Sequence, residues 1–260
     1  MEPGKGRIVV VTGGASGIGR ACCRVLAAKG WKVVVTDVDE AGARKVAADV
    51  GGTAYRLDVG DAEAIEAVAG RIEREAGPVF GLVNSAGILA APVPPEKLPV
   101  EEWDRVVRIN QRGTYLACVA FGLKMAQRGV GAIVNISSIN AFRAMPFHGY
   151  APTKAAIASI TMNLAAEWGP SGVRVNAVSP GFTRSPALQA KIDSGERDVG
   201  AIERATALRR LMEPEDSAYA VAFLLGDEAA GITGVNLPVE GGWLVMPSWQ
   251  SYPGIRGDWP

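Results

Sequence analysis

The sequence is short of histidine and cysteine. It holds one His, His148, and three Cys, Cys22, Cys23 and Cys118, in 260 residues. A single histidine excludes a His-rich metal centre, and without paired CxxC or HxxxH spacing a zinc site has no ligand set, so no metal is expected. Three cysteines, two of them adjacent, make no disulfide framework. They suit a reducing, cytoplasmic setting in which the thiols act as small buried apolar groups. Excess charge is also missing, with 27 Lys and Arg against 27 Asp and Glu. Surfaces that hold nucleic acid carry an excess of cations, and membrane surfaces are met by polybasic runs; neither is present. No apolar run approaches the ~18 residues of a bilayer span. The stretch Ile8–Val11 is too short for a signal-peptide core and runs straight into glycines. Neither nucleic acid nor a membrane is an expected partner.

What is present is an alternation. Short β-branched runs stand at Arg7–Thr12, Lys32–Thr36, Thr53–Leu57, Val79–Asn84, Ala132–Ser137, Arg174–Val178 and Gly234–Val239. Ala-rich stretches of helical spacing lie between them: Ile18–Lys29, Ala41–Val50, Ala62–Glu75, Val100–Arg128, Ala151–Trp168 and Pro214–Leu225. Strands apolar on both pleat faces, each followed by a helix, predict an α/β fold: one doubly wound parallel sheet, Rossmann-like, with helices on both faces. Gly30 and Gly51–Gly52 are placed to end helices in the left-handed conformation, and Pro99 and Pro214 to begin them. No linker divides the chain, so residues 1–260 read as one domain. Within it, the charged, irregular stretch 182–210 reads as a lid with short helices, and 246–260 as a C-terminal tail.

The first strand feeds into Gly13-Gly14-Ala15-Ser16-Gly17-Ile18-Gly19, and a helix follows. Glycines there permit a tight turn and close approach to a pyrophosphate, which would sit on free N–H groups at the helix N-terminus. A glycine triplet alone is a weak sign and equally reads as a plain turn; its place between strand and helix strengthens it. Asp37 ends the second strand, 20 residues after Gly17, where an acid can accept from ribose hydroxyls and repel a 2′-phosphate. No Arg or Lys stands at position 16 or 38, so the pattern favours NAD over NADP. Asp58 and Val59, after the third strand, can border an adenine.

Tyr150 and Lys154 are spaced i, i+4 and share a helix face. They open a helix just after the strand ending in Asn135-Ile136-Ser137-Ser138, at the carboxyl edge of the sheet where such folds hold ligands. A phenol titrates near ~10, and a neighbouring ammonium is expected to lower that value. Tyr150 would then exchange a proton with a substrate hydroxyl, Ser138 would hold the substrate oxygen, and Lys154 would hold a ribose and tune the phenol.

In these residues the chain resembles the short-chain dehydrogenases/reductases, in the subgroup of this chain length. The motifs are TGGASGIG at 12–19, DV at 58–59, NSAG at 84–87, Asn110 in INQRG, NISS at 135–138, YAPTK at 150–154, SPG at 179–181 and VEGG at 239–242. The resemblance implies a seven-stranded doubly wound sheet, and an NAD(P)-dependent interconversion of a secondary alcohol and a ketone. It further implies a tetrad of Asn110, Ser138, Tyr150 and Lys154, with Asn110 supporting a proton relay through Lys154. Carried over by position, the cofactor residues are Gly13, Ser16, Gly17, Ile18, Gly19, Asp37, Asp58, Val59, Asn84, Ala86 and Gly87. Tyr150, Lys154, Pro180, Gly181, Thr183 and Ser185 complete them, the last four along the carboxamide edge of a nicotinamide. It implies homodimers or homotetramers, built by packing the 100–128 and 151–168 helices against their copies.

Three departures from the family pattern stand out. NSAG replaces NNAG, Ser185 stands where Thr is usual, and Ser138 lies one residue nearer to Tyr150 than the family spacing, which Ser137 would satisfy. Alignment on Pro146 keeps Ser138 as the catalytic serine. Asn140, Arg143, His148 and Phe182 are candidate substrate residues, with Phe147, Trp243 and the tail nearby. That mixture of polar and aromatic groups suits a polyol, sugar or small hydroxy-carbonyl compound; an inward Arg143 would point to a carboxylate or phosphate. Two other readings compete: an NADP-dependent ketoacyl-type reductase, and a non-catalytic nucleotide-binding scaffold or sensor.

Overall fold

The computed structural model describes residue 4 and residues 6–246. Its strands are β1 (Ile8–Thr12), β2 (Lys32–Asp37), β3 (Thr53–Arg56), β4 (Val79–Asn84), β5 (Gly131–Ile136), β6 (Val173–Pro180) and β7 (Asn236–Val239). They form one parallel sheet in the order β3-β2-β1-β4-β5-β6-β7. The order reverses beside β1, between its neighbours β2 and β4, and that point sets the ligand crevice in an open α/β sheet. The central strands β1 and β5 are buried along their whole length, as strands covered on both faces must be. The edge strands β3 and β7 are half-exposed.

Alternation along β1 divides the core. Val9 and Val11 face α1 (Gly17–Ala28), α2 (Glu40–Val50) and α9 (Pro214–Leu225), packing with Leu26, Val46 and Leu225. Ile8 and Val10 face the other way, toward α3 (Ala62–Glu75), α5 (Gly113–Arg128) and α6 (Ala151–Trp168), packing with Ile65, Phe121 and Trp168. Burying each of these large side chains contributes about 1.5–3 kcal/mol. Cys22, Cys23 and Cys118 are free and buried within these layers. Burial pushes the thiols of Cys23 and Cys118 up to about 12, which leaves them inert packing groups.

Helix ends follow local chemistry. Asp39 caps α2 by accepting from the Gly42 N–H, and Asp61 caps α3 by accepting from Glu63 and Ala64. Gly51 ends α2 at φ +64°, a conformation that costs glycine nothing. Pro214 opens α9 as expected, whereas Pro99 lies one position outside its helix, as the N-cap of α4 (Val100–Val106). The stretch 100–128 is not one regular helix: a π-helical turn, Val107–Arg112, separates α4 from α5. The lid carries two short helices, α7 (Pro186–Asp193) and α8 (Val199–Arg204).

Candidate active site

The glycine loop leaves β1 and enters α1 with its backbone bared. Gly13 has φ +65°, and a Cβ there would lie 2.6 Å from the Ala86 backbone; a Cβ on Gly19 would lie 2.1 Å from the Gly13 carbonyl oxygen. The loop is therefore packed against the chain just after β4 and against itself through atoms that only glycine leaves room for. At Gly17 (φ +51°) a Cβ would meet nothing within 4 Å, since that side opens on a cleft. Ser16, the N-cap of α1, makes no capping bond through its side chain, so its hydroxyl and the first-turn N–H groups face outward for an anion. The cleft, of about 430 Å³, runs past Gly13, Ser16, Gly17, Ile18, Asp37, Asp58, Val59, Ala86 and Gly87 to Tyr150, Lys154 and Ser185. These residues fit a dinucleotide, with a bare-backbone anion seat in the middle and a carboxylate at one end.

That carboxylate is held in place. Asp37 Oδ2 accepts from the Ala15 N–H and Oδ1 from the Asp39 N–H, each at 3.0 Å. Among the described residues lining the cleft, Lys154 at the opposite end is the only cation, and position 38 is an exposed valine. Asn84, expected along the cofactor, does not line the cleft. Its side chain is buried, with Nδ2 donating to Asn135 Oδ1 at 2.9 Å, and Asn135 donates in turn to Thr161 at 3.0 Å. This polar ladder ties β4, β5 and α6 together beneath the site. Pro180, Gly181 and Thr183 border a second cavity instead of the cleft; Ser185 borders both.

The tetrad converges at the carboxyl ends of β4 and β5. Lys154 is buried and its Nζ donates to the Ile136 carbonyl at 2.8 Å, which holds Nζ 5.3 Å from the centre of the Tyr150 ring. Ser138 borders the same cavity as Tyr150, and its Oγ accepts from the backbone N–H and the Nδ2 of Asn140, each at 3.2 Å. Ser137 is occupied elsewhere. Its hydroxyl donates to the Lys154 carbonyl at 2.9 Å and anchors the start of α6. With Ser137 engaged by that carbonyl, Ser138 is the serine whose hydroxyl is left beside the phenol despite the shortened spacing. Asn110 sits on the π turn, fully buried, and its carboxamide clamps Ile88 from both sides: Oδ1 accepts from its N–H and Nδ2 donates to its carbonyl, both at 2.8 Å. It holds the chain leaving β4 against the tetrad, and so acts as a positioning residue in this geometry. π turns recur at functional sites because they redirect one residue without breaking the helix.

The electrostatics correct one expectation. The phenol of Tyr150 is not acidified by the lysine here. Burial pushes it up to about 12, and the opposing, lowering influence is the Ser138 hydroxyl beside it. Lys154, turned to the Ile136 carbonyl, is itself pushed down to about 8 by burial. Both groups are desolvated, and each is biased toward its neutral form. A neutral phenol at the mouth of a cavity is a ready proton donor to a carbonyl oxygen, and becomes an acceptor as pH rises.

The second cavity, of about 250 Å³, lies across Tyr150 from the cleft. Phe147 and Phe182 line it with Leu89, Met145 and Leu188, and Ser138 and Asn140 bring polar groups. Phe147 meets the Tyr150 ring edge-on at 6.3 Å. The Oδ1 of Asn140 is buried without a hydrogen-bond partner among the described residues. Two expected substrate residues are not brought in. Arg143 stacks over Trp243 at 5.6 Å, and His148 is exposed on the loop before α6; neither lines the cavity. Lys191 and Arg197 of the lid do line it, and sequence reasoning missed them individually. The only signal was the charge of the stretch 182–210. The tail beyond residue 246 lies outside the described residues. Among those described, no group of three or more His, Cys, Asp or Glu could hold a metal, and no helix is long and apolar enough to cross a membrane.

A tyrosine and lysine beside a dinucleotide cleft in a seven-stranded parallel sheet define an oxidoreductase of the α/β class. A family model described as enoyl-(acyl carrier protein) reductase matches residues 13–244. Two curated relatives are similar over most of their length. The cis-4-hydroxycyclohexanecarboxylate dehydrogenase of Sinomonas cyclohexanicum is 40% identical over 247 residues, covering 92% of this chain and 97% of the relative. The D-threitol dehydrogenase of Mycolicibacterium smegmatis is 37% identical over 246 residues, covering 92% and 94%. Among solved structures, one named ribose-5-phosphate isomerase from Brucella melitensis 16M is 45% identical with TM-score 0.95, covering 99% of this chain and 100% of that one. Another, ElxO with NADP bound, is 29% identical with TM-score 0.88, covering 92% and 99%. The chain belongs to the short-chain dehydrogenase/reductase family, which binds a nicotinamide cofactor and whose dehydrogenases, these two relatives among them, act on CH–OH groups.

Proposed function

We propose that the protein is an NAD-dependent dehydrogenase that interconverts a small secondary alcohol and its ketone. The observation that carries this reading is the place of Tyr150, which borders both the dinucleotide cleft and the second cavity. A substrate oxygen in that cavity can meet the phenol and the Ser138 hydroxyl together. Tyr150 gives its proton to the oxygen during reduction and takes it back during oxidation, while Ser138 and Asn140 hold the polar end of the substrate. When bound, the nicotinamide supplies or accepts the hydride on the carbon bearing that oxygen. Lys154 stands ready to hold the ribose and to return a proton toward Tyr150. The preference for NAD rests on Asp37, fixed by two backbone donors, and on the lack of a cation beside it in the cleft.

The substrate class is a polyol, sugar or small hydroxy-carbonyl compound, and the apolar wall of the second cavity favours the last of these. An NADP-dependent reductase would have to place a 2′-phosphate against the Asp37 carboxylate. A scaffold or sensor would not need a phenol, a lysine and a serine grouped at the cleft. An isomerase of the kind named for one solved relative moves a proton between neighbouring carbons and has no use for a dinucleotide cleft. The exposed Tyr115, Leu123 and Met162 on α5 and α6 support packing of these helices against a second copy of the chain.

The test is Tyr150→Phe, assayed with NAD and a panel of secondary alcohols by the absorbance of the reduced nicotinamide. Turnover is expected to fall by about 10²–10⁴, with NADH affinity retained. A variant that turns over like the parent defeats the assignment.

A further inference from the structure

We infer that the substrate carries an acidic group, a carboxylate or a phosphate, held by Lys191 and Arg197 in the cavity beside Tyr150. The inference deepens the reading above and rests on it for the identity of that cavity as the substrate site. Among the described residues that line the cavity there are two cations and no acid. Both come from the lid, Lys191 from α7 and Arg197 from the turn after it. The Arg197 N–H donates to the Lys191 carbonyl at 3.1 Å, so one hydrogen-bonded turn presents both side chains.

The contrast with the rest of the lid is informative. Arg184, Arg204 and Arg210 each pair with an acid, Glu213, Asp198 and Asp216, and Arg209 donates to the Arg204 carbonyl. Lys191 and Arg197 take part in no ion pair and no side-chain hydrogen bond among the described residues. The nearest acids in sequence are engaged elsewhere: Asp193 accepts from Gln189 at 2.7 Å and Glu196 from Ser194 at 3.2 Å. Both cations are half-buried, next to the apolar surfaces of Leu188 and Phe182. Low-dielectric walls strengthen the field of an unpaired cation, and an anion entering there would be attracted far more than in water. Ser138, Asn140 and Tyr150 offer the hydroxyl site of the same cavity, and Leu89, Met145 and Phe147 supply apolar wall. The ligand that satisfies all three chemistries is a hydroxy acid or hydroxy phosphate with a compact apolar body. A neutral polyol would leave the two cations unmatched.

Neither cation lines the dinucleotide cleft, which separates their role from that of the phosphate loop. The test is calorimetry on the full chain saturated with NADH, titrated with cyclohexanecarboxylate, cyclohexyl phosphate and the neutral cyclohexanecarboxamide. At least one anion is expected to bind about tenfold or more tightly than the amide, with the advantage shrinking as salt rises. The better of the two anions identifies the group. In a Lys191→Gln, Arg197→Gln double variant the advantage is expected to collapse toward unity, while NADH affinity holds. Equal binding of anions and amide, or an advantage that survives in the variant, overturns the inference. So does an equal loss of NADH affinity, which would assign the cations to the cofactor. These outcomes do not depend on turnover. A protein that binds the acid as expected but transfers no hydride with any alcohol would refute the dehydrogenase reading alone.

Discussion

Lys154→Met should stabilise the fold near neutral pH while it abolishes turnover, and the size of that gain should depend on pH. Lys154 is buried, and its value falls from the ordinary 10.5 to about 8 because burial disfavours the ammonium. The unfolded chain therefore holds this proton more tightly than the folded one. Below pH 8 both states are charged, and the folded state bears the full desolvation penalty. Between pH 8 and 10.5 the folded lysine is neutral while the unfolded one still binds a proton, so the penalty fades. Above 10.5 it is gone. At ~1.4 kcal/mol per pH unit, the penalty is about 3 kcal/mol at pH 7 and about 1 kcal/mol at pH 10. Methionine has similar length and no charge, so its variant escapes the penalty but loses the 2.8 Å bond to the Ile136 carbonyl, worth about 1–3 kcal/mol. That loss changes little with pH, so the difference between variant and parent isolates the lysine. Urea denaturation of both proteins from pH 7 to 10 should show the variant's relative stability declining by about 2 kcal/mol across the range. A constant difference would mean that Lys154 is not desolvated in the folded protein, and the reasoning about its protonation would fail.

Three further outcomes follow from the same geometry. With Tyr150 held near 12, alcohol oxidation at limiting substrate should rise about tenfold per pH unit from pH 7 until a plateau set by the bound cofactor, whereas ketone reduction should not rise; a flat oxidation profile from pH 7 to 10 contradicts a raised phenol. Asp37→Ala removes the carboxylate that repels a 2′-phosphate, and the ratio of NAD to NADP efficiency should fall by tenfold or more in steady-state kinetics; an unchanged ratio would place cofactor choice elsewhere. Gly19→Ala puts a methyl 2.1 Å from the Gly13 carbonyl and should cost about 1–3 kcal/mol by thermal or urea denaturation, together with weaker NADH binding; native stability would show that the loop shifts freely.

The parts of the molecule that were legible from sequence are those where local chemistry alone decides. β4, α3, α6 and α9 have the bounds that apolar runs, helical spacing and proline mark out. The loop Gly13–Gly19 shows because backbone approach needs glycine whatever the ligand. Asp37 shows because a strand end plus an acid at fixed spacing has few other uses in this fold. The interruption of 100–128 was hidden, since a π turn leaves the composition of a helix intact and changes only one hydrogen-bond step. The inward turn of the Asn84 side chain was hidden for a related reason. Strand register decides whether a polar residue at a strand's end faces the cleft or a neighbouring asparagine, and here Asn135 on β5 claims it. The lowered phenol failed because an i, i+4 spacing fixes the shared face but not the direction of the amine, which the Ile136 carbonyl captures.

The substrate end shows where such reading stops. Arg143 and Lys191 are both basic residues in irregular or short-helical chain, and nothing in their neighbours distinguishes them. The difference is tertiary. Trp243, one hundred residues after Arg143, gives its guanidinium a π face to lie on, while the turn closed by the Arg197 N–H brings Lys191 to the cavity. A cation whose partner is distant in sequence is thus removed from the site, and one without a partner among the described residues is left facing it. Matching each lid cation to its acid or carbonyl partner therefore separates structural charge from binding charge in a way that counting charges cannot. The same matching makes a prediction for the paired ones. Arg210→Gln breaks the bond to Asp216 at the start of α9 and should lower stability by about 1 kcal/mol or less, since the pair is partly exposed. It should leave the preference for an anionic ligand over its amide intact, because Arg210 does not line the cavity. If that preference fell in Arg210→Gln as far as in the Lys191 and Arg197 double variant, the lid's net charge, not two placed cations, would be what the acid senses.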